Sequence, residues 1–211
     1  MTFSNDLKQQ FGSIDIYLFD QILKGRFDHC ARILDVGCGS GRNLIFFLRQ
    51  GFEVYGVDPD AGAIDQVRKI AADLAPQLPA ANFQAARVEE IAFADGYFDA
   101  VLGSAVLHFA ADEPHFLRML KAMWRVLKEG GLFFVRLASS IGLEEHIQPV
   151  AGRRCRLPDG TIRFLVDETL LLDATKAFGG TLLEPIKTTR VQNLRCMTTW
   201  CVEKNPGFSE W

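Results

Sequence analysis

The sequence has no large excess of charge of one sign, no C-x-x-C pair and no apolar run long enough to cross a bilayer, and each absence removes a class of function. Its 23 basic and 26 acidic residues leave a formal net charge of -3. That balance offers no overall attraction to nucleic acid or to an anionic membrane surface. The five cysteines, Cys30, Cys38, Cys155, Cys196 and Cys201, are odd in number. Without paired spacing they argue against a zinc site and a disulfide framework, which places the chain in a reducing cytoplasm. The opening MTFSNDLKQQ lacks the cationic and apolar blocks of a secretory signal. No repeat, low-complexity tract or Gly/Ser linker divides the chain, so residues 1–211 read as one domain. With 48% hydrophobic and 23% charged residues, that domain can bury a sizeable core.

What is present alternates. The first twenty-odd residues carry Leu7, Phe11, Ile14, Leu18 and Ile22 at broadly helical spacing, an amphipathic segment for packing on the main body. Short apolar runs at 32–36, 53–57, 82–84, 98–103 and 132–135 read as strands, and segments 43–49 and 61–74 between them as helices. Asp112 is a candidate N-cap with Pro114 in the first turn. The helix behind it turns Phe116, Leu117, Leu120, Met123 and Leu127 inward, and Gly130-Gly131 is expected to end it. This order predicts a parallel, doubly wound α/β sheet. The last third changes character. Residues 153–165 read as a hairpin around Pro158-Asp159-Gly160, and residues 167–178 as a helix. The stretches 181–183 and 195–202 have no helix between them and should pair antiparallel.

The first strand runs into a glycine loop, Asp35-Val36-Gly37-Cys38-Gly39-Ser40-Gly41-Arg42. Counted from Gly37, the third glycine of a dinucleotide fingerprint would fall on residue 42, which is arginine. Asp35 beside the loop would repel a pyrophosphate and attract an ammonium group such as that of S-adenosylmethionine. Asp58 closes the second strand before Pro59. A carboxylate there can accept both ribose hydroxyls, which suits NAD and S-adenosylmethionine equally. Asp58 as a helix N-cap and Asp35 as a loop-bracing acid are the structural alternatives.

ILDVGCGSGRN followed by VYGVDPD, then FADGYFDAVLGSAVLHF and LKAMWRVLKEGGLFFV in that order, resembles the class I S-adenosylmethionine-dependent methyltransferases of small-molecule type over roughly residues 30 to 138. The resemblance implies a Rossmann-like, mostly parallel seven-stranded sheet with helices on both faces and an antiparallel C-terminal strand. It implies S-adenosylmethionine as cofactor, S-adenosylhomocysteine as product, and methyl transfer to a small molecule by direct displacement. Asp35 and the loop residues Gly37, Cys38, Gly39, Gly41 and Arg42 would hold the methionine end. Asp58 and Pro59 would hold the ribose, and Ser104 would line the site. The adenine would lie against Val88 and Glu89, although Arg87 stands where the family commonly has an acid. Residues 1–28 would form a helical lid bringing Tyr17 to the cofactor, with plain packing as the alternative for Tyr17. Residues 139–166 would form a substrate-side insertion.

His108 lies just past the fourth strand and is the candidate general base, with acceptor binding or a purely structural place as alternatives. His115 is expected on a helix surface. Arg136 interrupts an apolar strand, either to contact an anionic substrate or as a strand-end arginine reaching solvent. The hairpin arginines Arg153, Arg154, Arg156 and Arg163 read first as a solvated face and second as a site for an acidic substrate. Gly103-Ser104-Ala105 stands where amino-methylating relatives carry Asn/Asp-Pro-Pro-aromatic, which disfavours a nucleic-acid substrate. A protein that binds S-adenosylmethionine without turnover remains the other reading.

Overall fold

The computed structural model describes residues 3–207. Two helices open the chain, α1 (Phe3–Phe11) and α2 (Ile16–Leu23), where the sequence reads as a single helical segment. They are separated at Gly12, whose φ is +64°, and at Asp15, whose side chain caps α2 by accepting from the Tyr17 amide. Strand and helix then alternate: β1 (Arg32–Val36), α3 (Ile45–Arg49), β2 (Glu53–Asp58), α4 (Ala61–Leu74), β3 (Phe83–Ala85), β4 (Phe98–Ser104), α5 (Glu113–Val126) and β5 (Leu127–Ala138). A small antiparallel sheet follows, of β6 (Gln148–Ala151), β7 (Arg154–Arg156) and β8 (Ile162–Phe164). The chain closes with α6 (Glu168–Ala177), β9 (Gly180–Leu182), β10 (Lys187–Val191) and β11 (Arg195–Lys204).

The main sheet has the order β10-β11-β5-β4-β1-β2-β3. Strands β1 to β5 pair in parallel, and β11 lies antiparallel to β5. The expected seven-stranded sheet is therefore present, with β9 as an eighth, short member. β9 and β10 share one edge of β11: β9 pairs with Val202–Lys204, and β10 with residues 195–199. The antiparallel pairing of 181–183 with 195–202 is borne out, but β10, whose Lys-Thr-Thr-Arg-Val carries little apolar signal, escapes the sequence reading.

Alternation along the strands builds a core on each face. Phe133, Val135 and Leu137 of β5 join Phe116, Leu120 and Met123 of α5 and Leu171 of α6. Leu132 and Phe134 join Leu18 of α2, Phe47 of α3 and Ile64 and Val67 of α4 on the other side. Gly130-Gly131 does not end α5, which stops at Val126; the two glycines lie within β5, at a register irregularity against β4. The physical reason is crowding. A Cβ on Gly131 would sit 2.6 Å from Leu127 Cδ1 and 2.8 Å from the Lys128 carbonyl oxygen. Among the described residues no helix is long and apolar enough to cross a membrane.

Candidate functional site

β1 and β4 are neighbours, yet β2 and β3 come between them in the chain. The strand order therefore reverses beside β1, and in such sheets the crevice at the carboxyl ends takes ligands. The glycine loop sits there. The amides of Gly37 and Cys38 both donate to the Val57 carbonyl, at 2.7 and 3.1 Å, which ties the loop to β2. Gly37 has φ +67°, and a Cβ on it would come within 2.2 Å of Val106 Cγ2, so only glycine fits. Asp58 accepts from the Gly39 amide on Oδ2 and from the Asp60 amide on Oδ1, each at 2.9 Å. The N-cap of α4 is Asp60, not Asp58. Asp58 is thereby left to face the cavity.

Asp35 is 1% exposed, and neither of its carboxylate oxygens has a hydrogen-bond partner. Burial pushes its pKa up to about 7, the Arg42 charge opposing and the Asp58 charge adding to the shift. A buried carboxylate without a partner is costly, and a cationic ligand group at hydrogen-bonding distance would relieve that cost. Cys38, by contrast, packs against Gly56, and burial pushes its thiol far up, so it lines the loop and is no nucleophile.

A cavity of about 490 Å³ opens beside the loop, lined in part by Gly37, Asp58, Pro59, Val88, Glu89 and His115. His115 was expected on the surface. It lies in the cavity wall instead, because the first turn of α5 packs over the 88–90 turn. Its Nδ1 accepts from the Ala111 amide at 3.0 Å, so Nε2 carries the proton and donates to Glu89. Burial works against the Glu89 carboxylate, but its backbone amide and His115 hold its pKa below the ordinary value.

A second cavity, of about 400 Å³, shares Ala105 and Phe109 with the first. Ala105 has φ +66°, a left-handed conformation unusual outside glycine, at the point where the two cavities meet. The second cavity is lined also by His108, Arg136, Arg163, Arg195, Leu157 and Met197. His108 is buried, and its Nδ1 accepts from the Ala138 amide at 3.3 Å. An amide can only donate, so the ring proton of neutral His108 sits on Nε2. Burial, reinforced by the Arg163 charge, pushes its pKa down to about 4.

Asp15 ties these parts together and was missed in the sequence. Its Oδ2 accepts from Ser104 Oγ at 3.2 Å, Arg136 Nη1 at 3.3 Å and Arg42 Nη2 at 3.5 Å. Asp15 could have been read as the N-cap before Ile16, but nothing local announces its distant partners. Tyr17 does not line the 490 Å³ cavity. Its hydroxyl bonds Thr189, and the Arg136 guanidinium lies 4.7 Å from its ring centroid.

A doubly wound sheet with an antiparallel last strand, a glycine loop after β1 and an acid at the end of β2 define the class I methyltransferase architecture. Residues 33–131, just under half of the chain, match the methyltransferase domain family. The chain is 34% identical over 104 residues to the ubiquinone biosynthesis O-methyltransferase of Brucella ovis, covering 49% of this chain and 40% of that protein. It is 28% identical over 102 residues to an uncharacterized methyltransferase of Synechocystis, covering 48% of this chain and 44% of that one. The chain thus spans less than half the length of these relatives. In fold it is similar to a Burkholderia thailandensis 1,6-didemethyltoxoflavin-N1-methyltransferase crystallised with its substrate and S-adenosylhomocysteine, with TM-score 0.68, 21% identity, and 96% of this chain and 82% of that one covered. A [4+2]-cyclase has the same fold, with TM-score 0.68, 18% identity, and 89% and 82% covered. The fold alone therefore does not fix the reaction.

Proposed function

We propose that this protein transfers a methyl group from S-adenosylmethionine to a small molecule, and the observation that carries the reading is Asp35. A buried carboxylate with both oxygens unpartnered, next to a glycine loop, matches an amino acid's ammonium group and not a pyrophosphate. Arg42 supplies the charge for the cofactor's carboxylate, while Asp58 with Pro59 takes the ribose hydroxyls. Val88 and Glu89 face the adenine, and Ser104 braces Arg42 and Asp15 through its hydroxyl. Gly37, Gly39 and Gly41 let the backbone approach, and Cys38 seats the loop. Tyr17 meets the acceptor side only through Arg136, which lies over its ring, while Leu157, Asp159, Thr161 and Arg163 of the 139–166 segment line the second cavity. Calorimetry tests the assignment: S-adenosylmethionine and S-adenosylhomocysteine should bind, and NAD should not. Binding of NAD, or of none of the three, overturns it.

Bound S-adenosylmethionine supplies an already activated methyl on a sulfonium, so alignment carries most of the work, roughly 7–11 kcal/mol. The loop and Asp58 fix one partner, and the second cavity fixes the other. The donor tautomer changes the role expected for His108: its Nε2–H orients an acceptor atom and does not take a proton. His108→Ala should therefore lower turnover by about tenfold with S-adenosylhomocysteine affinity unchanged, and His108→Gln should restore most of it. With its pKa near 4, His108 stays neutral above that pH. The pH profile of kcat/KM should then show no inflection near 6.5 that disappears in His108→Gln. Such an inflection would make His108 the base after all.

A further inference from the structure

The chain carries a net charge of -3, yet its second cavity is cationic. Arg136, Arg163 and Arg195 line it against one acid, Asp159. That acid is engaged elsewhere, accepting from the Thr161 amide at 2.9 Å and from Thr161 Oγ1 at 2.6 Å. Arg136 is balanced by Asp15 at 3.3 Å, although its Nε is buried without a partner. Arg163 is held in place without a salt bridge: Nη1 donates to the Ile162 carbonyl at 2.8 Å, and its guanidinium lies 4.9 Å from the Phe109 ring centroid. Arg195 makes no ion pair among the described residues. Two further polar side chains line it: Thr161, whose hydroxyl donates to Asp159, and the buried His108, which presents Nε2–H. The three guanidinium groups and His108 all donate, and Arg163 and Arg195 form no salt bridge among the described residues, sharing only the through-space attraction of Asp159. The rest of the wall is apolar, from Phe109, Leu157, Val191 and Met197.

We propose that the methyl acceptor is a small, largely apolar molecule bearing an oxyanion, a carboxylate or a phosphate, which Arg163 and Arg195 hold against the Phe109 end of the cavity. This deepens the methyl-transfer reading and rests on it. Guanidinium groups pair with both oxyanions in a bidentate, charge-assisted way; here Arg163 is half-buried and Arg195 exposed. About 400 Å³ suits a molecule of one or two rings. Phe109 is 62% exposed yet lies on both cavities, which gives the flat part of such a molecule a face to rest on. The two arginines come from β8 and the start of β11, so the β10–β11 end and the small sheet together set acceptor charge.

The test uses 1-naphthoate, 1-naphthyl phosphate and the neutral 1-naphthamide, titrated into the full chain loaded with S-adenosylhomocysteine. At least one of the anions should bind at least tenfold more tightly than the amide, and which anion wins separates carboxylate from phosphate. The double variant Arg163→Gln/Arg195→Gln should lose that preference while keeping its S-adenosylhomocysteine affinity. Equal binding of anions and amide, binding of none, or a preference that survives in the double variant overturns the proposal. A parent protein that fails to bind S-adenosylhomocysteine sinks the methyl-transfer reading separately. The same titrations on the unloaded chain then still decide whether the cavity selects anions.

Discussion

Replacing Asp35 with asparagine is expected to make the protein more stable at pH 8 and unable to hold its cofactor. Asp35 has a folded pKa of about 7 against an ordinary value of 3.8. Folding thus favours its neutral form, so the stability linked to that proton is fully present below pH 3.8 and lost as pH rises through 7. At pH 8 the buried charge costs on the order of 4 kcal/mol. Asparagine is neutral throughout, and leaving its amide unpaired returns about 1–3 kcal/mol of that. A net gain of about 1–3 kcal/mol in unfolding free energy should appear at pH 8 and turn into a loss of about 1–3 kcal/mol near pH 4. Over the same substitution the affinity for S-adenosylhomocysteine should fall by more than about 100-fold, since a desolvated ammonium loses its counter-charge. In the parent protein, affinity should weaken as pH drops below 7 and Asp35 takes up its proton. A variant that binds like the parent, or that melts lower at pH 8, would falsify the assignment.

The second large effect belongs to Asp58. Asp58→Ala removes the acceptor proposed for the ribose hydroxyls and also the partner of the Gly39 and Asp60 amides. Two losses are then mixed, and Asp58→Asn separates them. The asparagine oxygen can still accept from one of the amides, so the loop keeps part of its anchor. Its charge is gone, and an NH₂ group faces the sugar in place of an acceptor. Asp58→Ala should lose cofactor binding by about 100-fold or more, and Asp58→Asn by about tenfold, each lost hydrogen bond to a charged group contributing about 1.5–3 kcal/mol. Melting temperature should drop for alanine and hold for asparagine. Equal binding by the alanine variant and the parent would remove Asp58 from the site.

Much of this was legible in the residues because the parallel half of the sheet obeys local rules. Helix α4 matches the predicted 61–74 residue for residue, and its strands run apolar between glycine and aspartate punctuation. The carboxylates at 35 and 58 could be found because a glycine loop fixes where its neighbours lie. Three things were hidden, each for a physical reason. Gly130-Gly131 looks like a helix stop, but Gly131 answers a close backbone approach that only the folded sheet creates, and Gly130 a left-handed turn within the strand. β10 is half-exposed and polar, so it lacks a strand pattern. Asp15 and His115 act through partners 89 and 26 residues away, at Ser104 and Glu89. Spacing along a chain carries no trace of such distances. The hairpin arginines show the same limit. Arg163 faces a cavity, while Arg156 is exposed and Arg153 pairs with Glu113 and Asp167.

The two cavities draw on different stretches of chain. Every residue lining the first falls between 37 and 119, and every residue lining the second between 105 and 197. They overlap only at Ala105 and Phe109. The stretch matched by the methyltransferase domain, 33–131, encloses the whole of the first and ends inside the second. On the proposed assignment, the stretch that would grip the donor can stay fixed while residues 132–211 change with the recipient. Only Ala105, His108 and Phe109 of the matched stretch reach the second cavity, so the left-handed turn at Ala105 is the seam where a changeable tail meets a fixed body.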